Sequence, residues 1–228
     1  MAVRANGGAT ATDEKPVTVI TADNYYVVIM IDASHPENAF GRIHTPSIFI
    51  GQKYHNPVEE PGHALYYVVK NGIIQTVLSF GPKTASDAVW GEGTPDCTMK
   101  NMVYAFKYNL TAEKSINLIK ETETWREKIM SGKEKYKAVT NDTCAETVIQ
   151  ILKPFISTLP KGKGLVGGYK LLLFAYAVTP YWLFEDYKEA STSYKIYPIG
   201  QRFYTREDPK KLIDEFLPKK NDADFVKW

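Results

Sequence analysis

Residues 141–152 read Asn-Asp-Thr-Cys-Ala-Glu-Thr-Val-Ile-Gln-Ile-Leu, a short polar cap that runs directly into an amphipathic helix. Cys144 stands in the first turn of this predicted helix. A helix N-terminus leaves backbone N–H groups unpaired and carries roughly half a positive charge, which stabilises a thiolate. The pattern therefore predicts a Cys144 pKa below the free value of about 8.5 and makes this thiol a candidate nucleophile.

Cys144 also has a purely structural interpretation. Cysteine is among the most buried residue types and often fills space in an apolar core. A thiol nucleophile needs a base within hydrogen-bonding reach, so the two interpretations differ in whether a histidine lies beside the sulfur. The candidate base is His63, in the tripeptide Gly62-His63-Ala64.

The clearest hairpin in the sequence begins at His63. Two β-rich runs, residues 63–70 and 73–80, flank the dipeptide Asn71-Gly72. Asn-Gly between two such runs is the strongest short-range signal for a two-residue type I′ turn. The sequence therefore predicts an antiparallel hairpin with His63 at the start of its first strand.

The register of this hairpin decides which side chain lies across from His63. A two-residue turn pairs Lys70 with the first residue after the turn and places Phe80 opposite His63, whereas a three-residue loop brings Ser79 there instead. A catalytic histidine is commonly oriented by a third, polar residue. Ser79 is the candidate for this role, and Gln75 is the alternative.

The remaining elements follow from apolar periodicity and from helix caps. A central strand buried on both faces is predicted at residues 25–31, and Thr111 is predicted to cap a helix from Ala112 to about residue 131. The segment 169–184 fits either strands or a buried helix. The other predictions are strands at 17–20, 47–50, 102–108 and 194–204, a flexible glycine-rich crossing at 161–168 and a last helix at 209–217.

Composition narrows the classes of protein and partner. The chain has 228 residues, of which 44% are hydrophobic, with a formal net charge of +2. These values are typical of a globular protein, and without a basic stripe they give no reason to expect a nucleic-acid partner. The longest apolar run, within residues 171–184, falls short of the ~20 residues that span a bilayer, so no membrane span is expected.

Cysteine and histidine spacing gives no sign of a metal or of any other cofactor. The two cysteines, Cys97 and Cys144, are too few for a disulfide framework, and Cys97 is expected to be a free bystander. Three of the four histidines, His35, His44 and His55, lie in a proline-rich excursion over residues 32–62. Their spacing matches no metal-binding motif, so we expect them to be loop or surface residues.

The domain organisation is expected to be simple. Residues 1–16 are small and polar and are expected to form a disordered leader, without the apolar core of a secretory signal. Residues 17–228 are expected to form a single catalytic domain with a C-terminal extension from about residue 160. The protein is accordingly expected to be made in the cytoplasm without a signal peptide.

The order of these features resembles the circularly permuted papain-like fold of the NlpC/P60 superfamily. The likeness rests on Gly62-His63-Ala64 opening a strand, on residues 79–83 closing its hairpin partner, on residues 108–111 before a long helix, and on residues 141–144 before the cysteine helix. It covers roughly residues 17–154. Within the superfamily the chain looks most similar to the TseH-type papain-like hydrolases, which are type VI secretion effectors that attack bacterial peptidoglycan.

The resemblance implies an α+β fold in which a central antiparallel sheet packs against helices. It implies a cysteine peptidase or amidase with Cys144 as nucleophile and His63 as base; Ser79 would fill the third position. The implied substrate is an amide or peptide bond of peptidoglycan, in the stem peptide. The implied partners are a cognate immunity protein and a carrier of the secretion apparatus, with delivery into the periplasm of a target cell.

Two alternatives stay open at this point. Permuted papain-like proteins also include lipid acyltransferases and thioesterases, and the aromatic segment 169–184 would then line an acyl site. The other alternative is a non-enzymatic, aromatic-rich module that binds carbohydrate or protein. In that case some of the 15 tyrosines provide stacking surfaces and Cys144 is only a packing residue.

Overall fold

The computed structural model describes residues 23–33, 35–44, 47–57, 59–83, 90–94, 103–137, 143–168, 171–190 and 195–197. The strands are β1 (Tyr25–Asp32), β2 (Phe40–Ile43), β3 (Gln52–His55), β4 (His63–Lys70), β5 (Ile73–Ser79), β6 (Gly81–Pro82), β7 (Trp90–Thr94), β8 (Val103–Leu110), β9 (Lys135–Lys137), β10 (Lys163–Gly168), β11 (Leu171–Val178) and β12 (Lys195–Tyr197). The helices are α1 (Ala112–Met130), α2 (Cys144–Leu152) and α3 (Pro180–Ala190), with a 3₁₀ turn at Ser47–Phe49. This mixture of mostly antiparallel sheets and helices confirms the predicted α+β class.

A five-stranded antiparallel sheet, in the order β12-β8-β1-β4-β5, forms the centre of the structure. All eight residues of β1 are buried. Apolar side chains such as Val27 and Val28 point to opposite faces of β1, and both are fully buried. The prediction of a central strand covered on both faces is therefore confirmed.

The β4–β5 hairpin closes through the predicted turn. Asn71 and Gly72 have φ angles of 51° and 80°, as a type I′ turn requires. Lys70 pairs with the first residue of β5 as predicted, but a β-bulge then moves the register by one residue, so that Leu65 pairs with Ser79. The predicted alignment of His63 with Phe80 is wrong, because the bulge adds one unpaired residue to β5.

Helices α1, α2 and α3 contribute to one apolar core on one face of the central sheet. Leu118 and Ile129 of α1, Val148 of α2 and Phe184 of α3 lie in this core together with Tyr66 of β4. The opposite face carries a second buried cluster, which includes Val28, Met30, Leu65 and Tyr67. Ile116 of α1 lies outside this core and is 60% exposed.

A second, four-stranded sheet has the order β11-β10-β3-β2. The predicted flexible crossing at 161–168 is wrong, because residues 163–168 form β10, which pairs with β11 and bridges to β3. The glycines of β10 leave room for aromatic rings that pack against the strand. A Cβ atom on Gly164 would lie 2.1 Å from the Trp182 ring, and one on Gly167 would lie 2.0 Å from the Phe174 ring. The alternatives for 169–184 resolve into a strand followed by a helix, β11 and α3.

Other predictions have mixed outcomes. The predicted strand at 47–50 is wrong, because β2 and β3 pair up to Ile43 and Gln52 and leave the residues between them as a connecting loop. A third sheet consists of β6, β7 and β9. The strand β12, which lies in the predicted extension after residue 160, pairs at the edge of the central sheet. The leader, the strand at 17–20, the helix at 209–217 and Cys97 lie outside the described residues. In the described part of the chain, no helix is both long and apolar enough to cross a bilayer.

Candidate active site

Cys144 is the first residue of α2, as the sequence predicts. Thr143 caps the helix: its side-chain oxygen accepts a hydrogen bond from the Glu146 backbone N–H at 3.1 Å. The backbone N–H groups of Cys144 and Ala145 lie at this helix N-terminus and act to lower the pKa of the thiol. The N-terminus of α2 therefore acts to lower the thiol pKa, which is the effect that the sequence predicts.

Burial nevertheless reverses the predicted direction of the thiol pKa. Cys144 is only 3% exposed. This desolvation raises the pKa of the Cys144 thiol to about 11, although the backbone hydrogen bonds act in the opposite direction. The predicted low pKa is wrong, because removing a thiolate from water costs more than the helix N-terminus returns. At neutral pH roughly one thiol in ten thousand is ionised.

Two further groups hydrogen-bond the Cys144 sulfur. One is the backbone N–H of Ala64, at the start of β4, and the other is the hydroxyl of Tyr136 on β9. Burial raises the Tyr136 pKa well above its ordinary value, so its hydroxyl stays protonated and can act as a donor. The Tyr136 ring packs edge-on against Phe80, with ring centroids 5.3 Å apart. No sequence pattern singles out Tyr136, which lies in a lysine-rich segment.

The structure brings His63 and Ser79 together. The Nε2 atom of His63 lies 2.8 Å from the Oγ atom of Ser79, within hydrogen-bonding distance. Ser79 is buried, and His63 is half-buried at the first position of β4. The alternative candidate, Gln75, is engaged elsewhere: its Nε2 atom donates to the Ile73 carbonyl at 3.0 Å. The ring nitrogen of His63 that faces Ser79 is Nε2, and the tautomer of the ring decides whether it donates or accepts in this hydrogen bond.

His63 stands at one end of the central sheet, where polar residues converge. Asp32, the last residue of β1, pairs directly with His63 and is 3% exposed. Ser79 ends β5 at the same end of the sheet. Sequence reasoning missed Asp32, although an acidic residue that ends an otherwise apolar strand is a recognisable signal. Its position makes Asp32 a second candidate for orienting the imidazole.

Gly62 fixes how the chain enters β4. Its φ angle is 58°, in the region that favours glycine. A Cβ atom at this position would lie 2.8 Å from the Asp32 carbonyl oxygen, 3.0 Å from the Cβ atom of Pro180 and 3.1 Å from the Tyr181 ring. Glycine therefore lets the backbone before His63 pack closely between β1 and α3.

The Cys144 thiol lies against the backbone of Ala64, the residue that follows His63 in β4, and the imidazole lies on the other side of the strand. Cys144 and Ala64 belong to the core on the helix side of the sheet, and Leu65 belongs to the cluster on the opposite side. Side chains alternate along a strand, so the His63 side chain leaves β4 on the side of Leu65. A direct contact with the sulfur requires the imidazole to turn around the open end of β4.

The other histidines do not extend this site. His35 and His44 are exposed, as predicted. His55 was predicted to be a loop or surface residue but is fully buried in β3, where its ring lies 4.7 Å from that of Tyr181. Its Nε2 atom lies 2.8 Å from the Glu60 carbonyl oxygen, and burial lowers the His55 pKa to about 4. Among the described residues, no three His, Cys, Asp or Glu side chains are grouped to hold a metal.

Comparisons with known proteins add no family to this geometry. The chain matches no protein-family model, no curated protein and no solved structure. Its chemistry is therefore inferred from three groups at one end of the central sheet. These are the buried thiol of Cys144, the hydrogen-bonded pair of His63 and Ser79, and the Tyr136 hydroxyl.

Proposed function

We propose that the protein is a cysteine hydrolase that cleaves an amide or peptide bond, with Cys144 as nucleophile and His63 as base. The observation that carries the proposal is the hydrogen bond from the Ala64 N–H to the Cys144 sulfur. Ala64 follows His63 directly, so the start of the cysteine helix lies beside the start of the histidine strand. Ser79 acts as a positioning residue through its hydrogen bond to His63 Nε2.

The raised thiol pKa decides how the nucleophile is activated. With a pKa of about 11, Cys144 rests as a neutral thiol rather than as one half of a thiolate–imidazolium pair. His63 therefore has to remove the thiol proton as the sulfur attacks the substrate carbonyl carbon. The C–N bond of the resulting tetrahedral intermediate then breaks, and His63 returns the proton to the leaving amine.

Water completes the reaction. His63 deprotonates a water molecule that attacks the thioester, and the C–S bond breaks to release the acid and the thiol. The backbone N–H of Cys144 and the hydroxyl of Tyr136 are two of the donor groups around the sulfur and would stabilise the oxyanion. Each such donor contributes a factor of roughly 10²–10³ in kcat in acyl-transfer enzymes.

The mechanism requires two movements: the imidazole has to turn toward the sulfur around the open end of β4, and the thiol has to become accessible. Cys144 is 3% exposed, and the Tyr136 hydroxyl is hydrogen-bonded to its sulfur. A substrate carbonyl reaches the sulfur only when β9, which carries Tyr136, moves away from α2. We therefore expect low activity in the resting protein and activation by binding of an extended substrate.

The proposed substrate is the stem peptide of bacterial peptidoglycan, and this part of the proposal is supported by the resemblance to papain-like secretion effectors. The same resemblance supports delivery by a type VI secretion carrier into the periplasm of a target cell. It also supports a cognate immunity protein as partner. The lipid acyltransferase alternative stays a prediction that release of fatty acid from phospholipid would reveal.

Burial of the thiol favours one competing function. A sulfur with 3% exposure, a pKa of about 11 and a place in the main core is also what a packing cysteine shows. In that case the protein is a binding module without catalytic chemistry. The two functions differ in whether replacing His63 changes any reaction at all.

The test is digestion of purified peptidoglycan, with soluble fragments identified by mass spectrometry. Cys144→Ala and His63→Ala should each reduce fragment release at least a thousandfold, since the nucleophile or its base is missing. His44→Ala is the matched control, because this exposed histidine lies outside the site, and it should digest like the wild type. Unchanged digestion by either site variant would contradict the assignment. Cleavage of other amides but not of peptidoglycan would retain the nucleophile and reject the substrate.

A further inference from the structure

The loop that connects β2 to β3 displays two apolar side chains to solvent. Ile48 is 72% exposed and Ile50 is 63% exposed. Single exposed apolar residues are ordinary, but two large aliphatic side chains on one short loop mark an interaction site. The other strongly exposed isoleucines of the described residues, Ile73 and Ile116, stand singly on β5 and α1.

The loop is held in place on its own sheet. Phe49, between the two isoleucines, packs against Phe174 of β11 with ring centroids 5.6 Å apart. The Gly51 backbone N–H donates to the Ile43 carbonyl at 2.6 Å, and its carbonyl accepts a hydrogen bond from Arg42 at 3.3 Å. The contacts of Phe49 and Gly51 thus hold the loop on its sheet, and Ile48 and Ile50 are exposed although the loop is held in place.

The loop tip projects into open space. Gly51 has a φ angle of 71°, and a Cβ atom placed on it would meet no atom within 4 Å. Ser47 and Gln52, at either end of the tip, are exposed as well. The strength with which an apolar segment binds a lipid interface grows with the apolar area that it buries and with its electrostatic attraction to anionic lipids.

The basic residues of the β2–β3 hairpin indicate that a complementary surface would carry negative charge. Residues 40–55 contain Arg42 and Lys53 but no aspartate or glutamate. Lys53 is paired with Glu185 of α3 at 2.7 Å, whereas Arg42 makes no ion pair within the described part of the chain. The side chain of Arg42 lies beside Gly51 at the base of the tip, so a basic group accompanies the apolar one.

We propose that the β2–β3 loop docks the protein on an anionic lipid bilayer, with Ile48 and Ile50 inserted at the boundary between headgroups and acyl chains. Arg42 then lies at the level of the lipid phosphates, where each basic residue strengthens binding to anionic membranes. This docking is peripheral and does not depend on the hydrolase proposal. It would hold the protein at the surface of a membrane without any spanning segment.

Sedimentation of the full chain with vesicles tests the proposal. The vesicles contain phosphatidylethanolamine with or without phosphatidylglycerol. Ile48→Ser and Ile50→Ser should each weaken binding to the anionic vesicles about tenfold, as expected for losing the burial of one aliphatic side chain. Arg42→Gln should weaken it about fivefold and reduce the difference between the two vesicle types. Ile116→Ser, which removes an equally exposed isoleucine from α1, should bind like the wild type.

Three results would overturn the proposal. The first is wild-type binding that does not depend on phosphatidylglycerol. The second is an equal loss of binding in Ile48→Ser and in the Ile116→Ser control. The third is a wild-type dimer in sedimentation velocity that Ile48→Ser dissociates, together with no vesicle binding, since a second copy of the chain would then cover the loop.

Discussion

The Cys144 sulfur lies where a helix N-terminus and a dry core act on the same atom in opposite directions. The backbone N–H groups of Ala64, Ala145 and Cys144 and the hydroxyl of Tyr136 surround it, and each acts to lower the thiol pKa. Burial has the larger effect and raises the pKa to about 11. The reactivity of this residue therefore depends on how far the surrounding structure opens, and less on the helix N-terminus.

Alkylation of Cys144 should report this burial directly. In a Cys97→Ser background, iodoacetamide should modify Cys144 at pH 7.5 about a hundredfold or more slowly than a free cysteine, because its thiolate fraction is so small. The rate should rise with pH up to about 11, the pKa that burial gives this thiol. Peptide mass spectrometry against time measures both. A rate that levels off below pH 8 would show an activated thiolate instead.

His55 should make the protein sensitive to mild acid. Its pKa is lowered from 6.5 to about 4, and its buried Nδ1 atom has no hydrogen-bond partner among the residues that the structure describes. The unfolded chain takes up the proton first, so the stability is complete above pH 6.5 and is lost as the pH falls from 6.5 to 4. The loss should be about 3 kcal/mol, the free energy that corresponds to this shift.

Urea denaturation between pH 7 and pH 4 measures the contribution of His55. His55→Gln should be less stable at pH 7 but should lose less stability on acidification than the wild type. His44→Gln, which replaces an exposed histidine just beyond the end of β2 that lies away from His55, should keep the wild-type pH dependence. If His55→Gln and the wild type lose the same free energy, the ring is not buried in its neutral form.

At the scale of elements, the start of β4 is the most constrained junction in the site. The backbone of Gly62 packs against Asp32 of β1 and against Pro180 and Tyr181 of α3. Tyr181 also donates through its hydroxyl to the Glu60 carboxylate at 3.0 Å, in the loop that leads to β4. The position of His63 is thus set jointly by β1, by α3 and by the turn between β3 and β4.

A pair of glycine substitutions separates close packing from backbone strain. Gly62 and Gly51 both have positive φ angles, 58° and 71°, but only Gly62 has atoms where a Cβ would lie. Gly51→Ala should cost about 1 kcal/mol of unfolding free energy from its backbone conformation alone. Gly62→Ala should cost a further 1–3 kcal/mol, roughly, because the neighbouring strand and helix must shift. Equal losses in urea denaturation would show that the junction is loose.

At the scale of the whole molecule, features encoded by neighbouring residues were predictable from sequence. The Asn71-Gly72 turn, the strand from Tyr25 and the helix capped by Thr143 all follow from local patterns, and the structure contains each of them. Such elements need only side-chain periodicity, turn residues and caps to be recognised.

Long-range packing was not predictable in the same way. The bridge between β3 and β10 joins His55 to Val166, and no local sequence pattern indicates it. For this reason the glycine-rich segment 161–168 predicts a flexible crossing, whereas the structure contains a strand there. The prediction of a low Cys144 pKa was wrong for the same reason, since the burial that raises this pKa comes from packing against β4 and β9. Tyr136 had no signal at all, because its role depends on that packing.

The central claim is that His63 acts on Cys144, and the most direct measurement is the rate of Cys144 alkylation with and without the imidazole. In the Cys97→Ser background at pH 7.5, His63→Ala should slow alkylation by iodoacetamide about tenfold, since the base that assists loss of the thiol proton is gone. Ser79→Ala should slow it less, and His44→Ala should leave it unchanged. Equal rates in His63→Ala and in the unsubstituted background would contradict the account and leave Cys144 as a packing residue of the core.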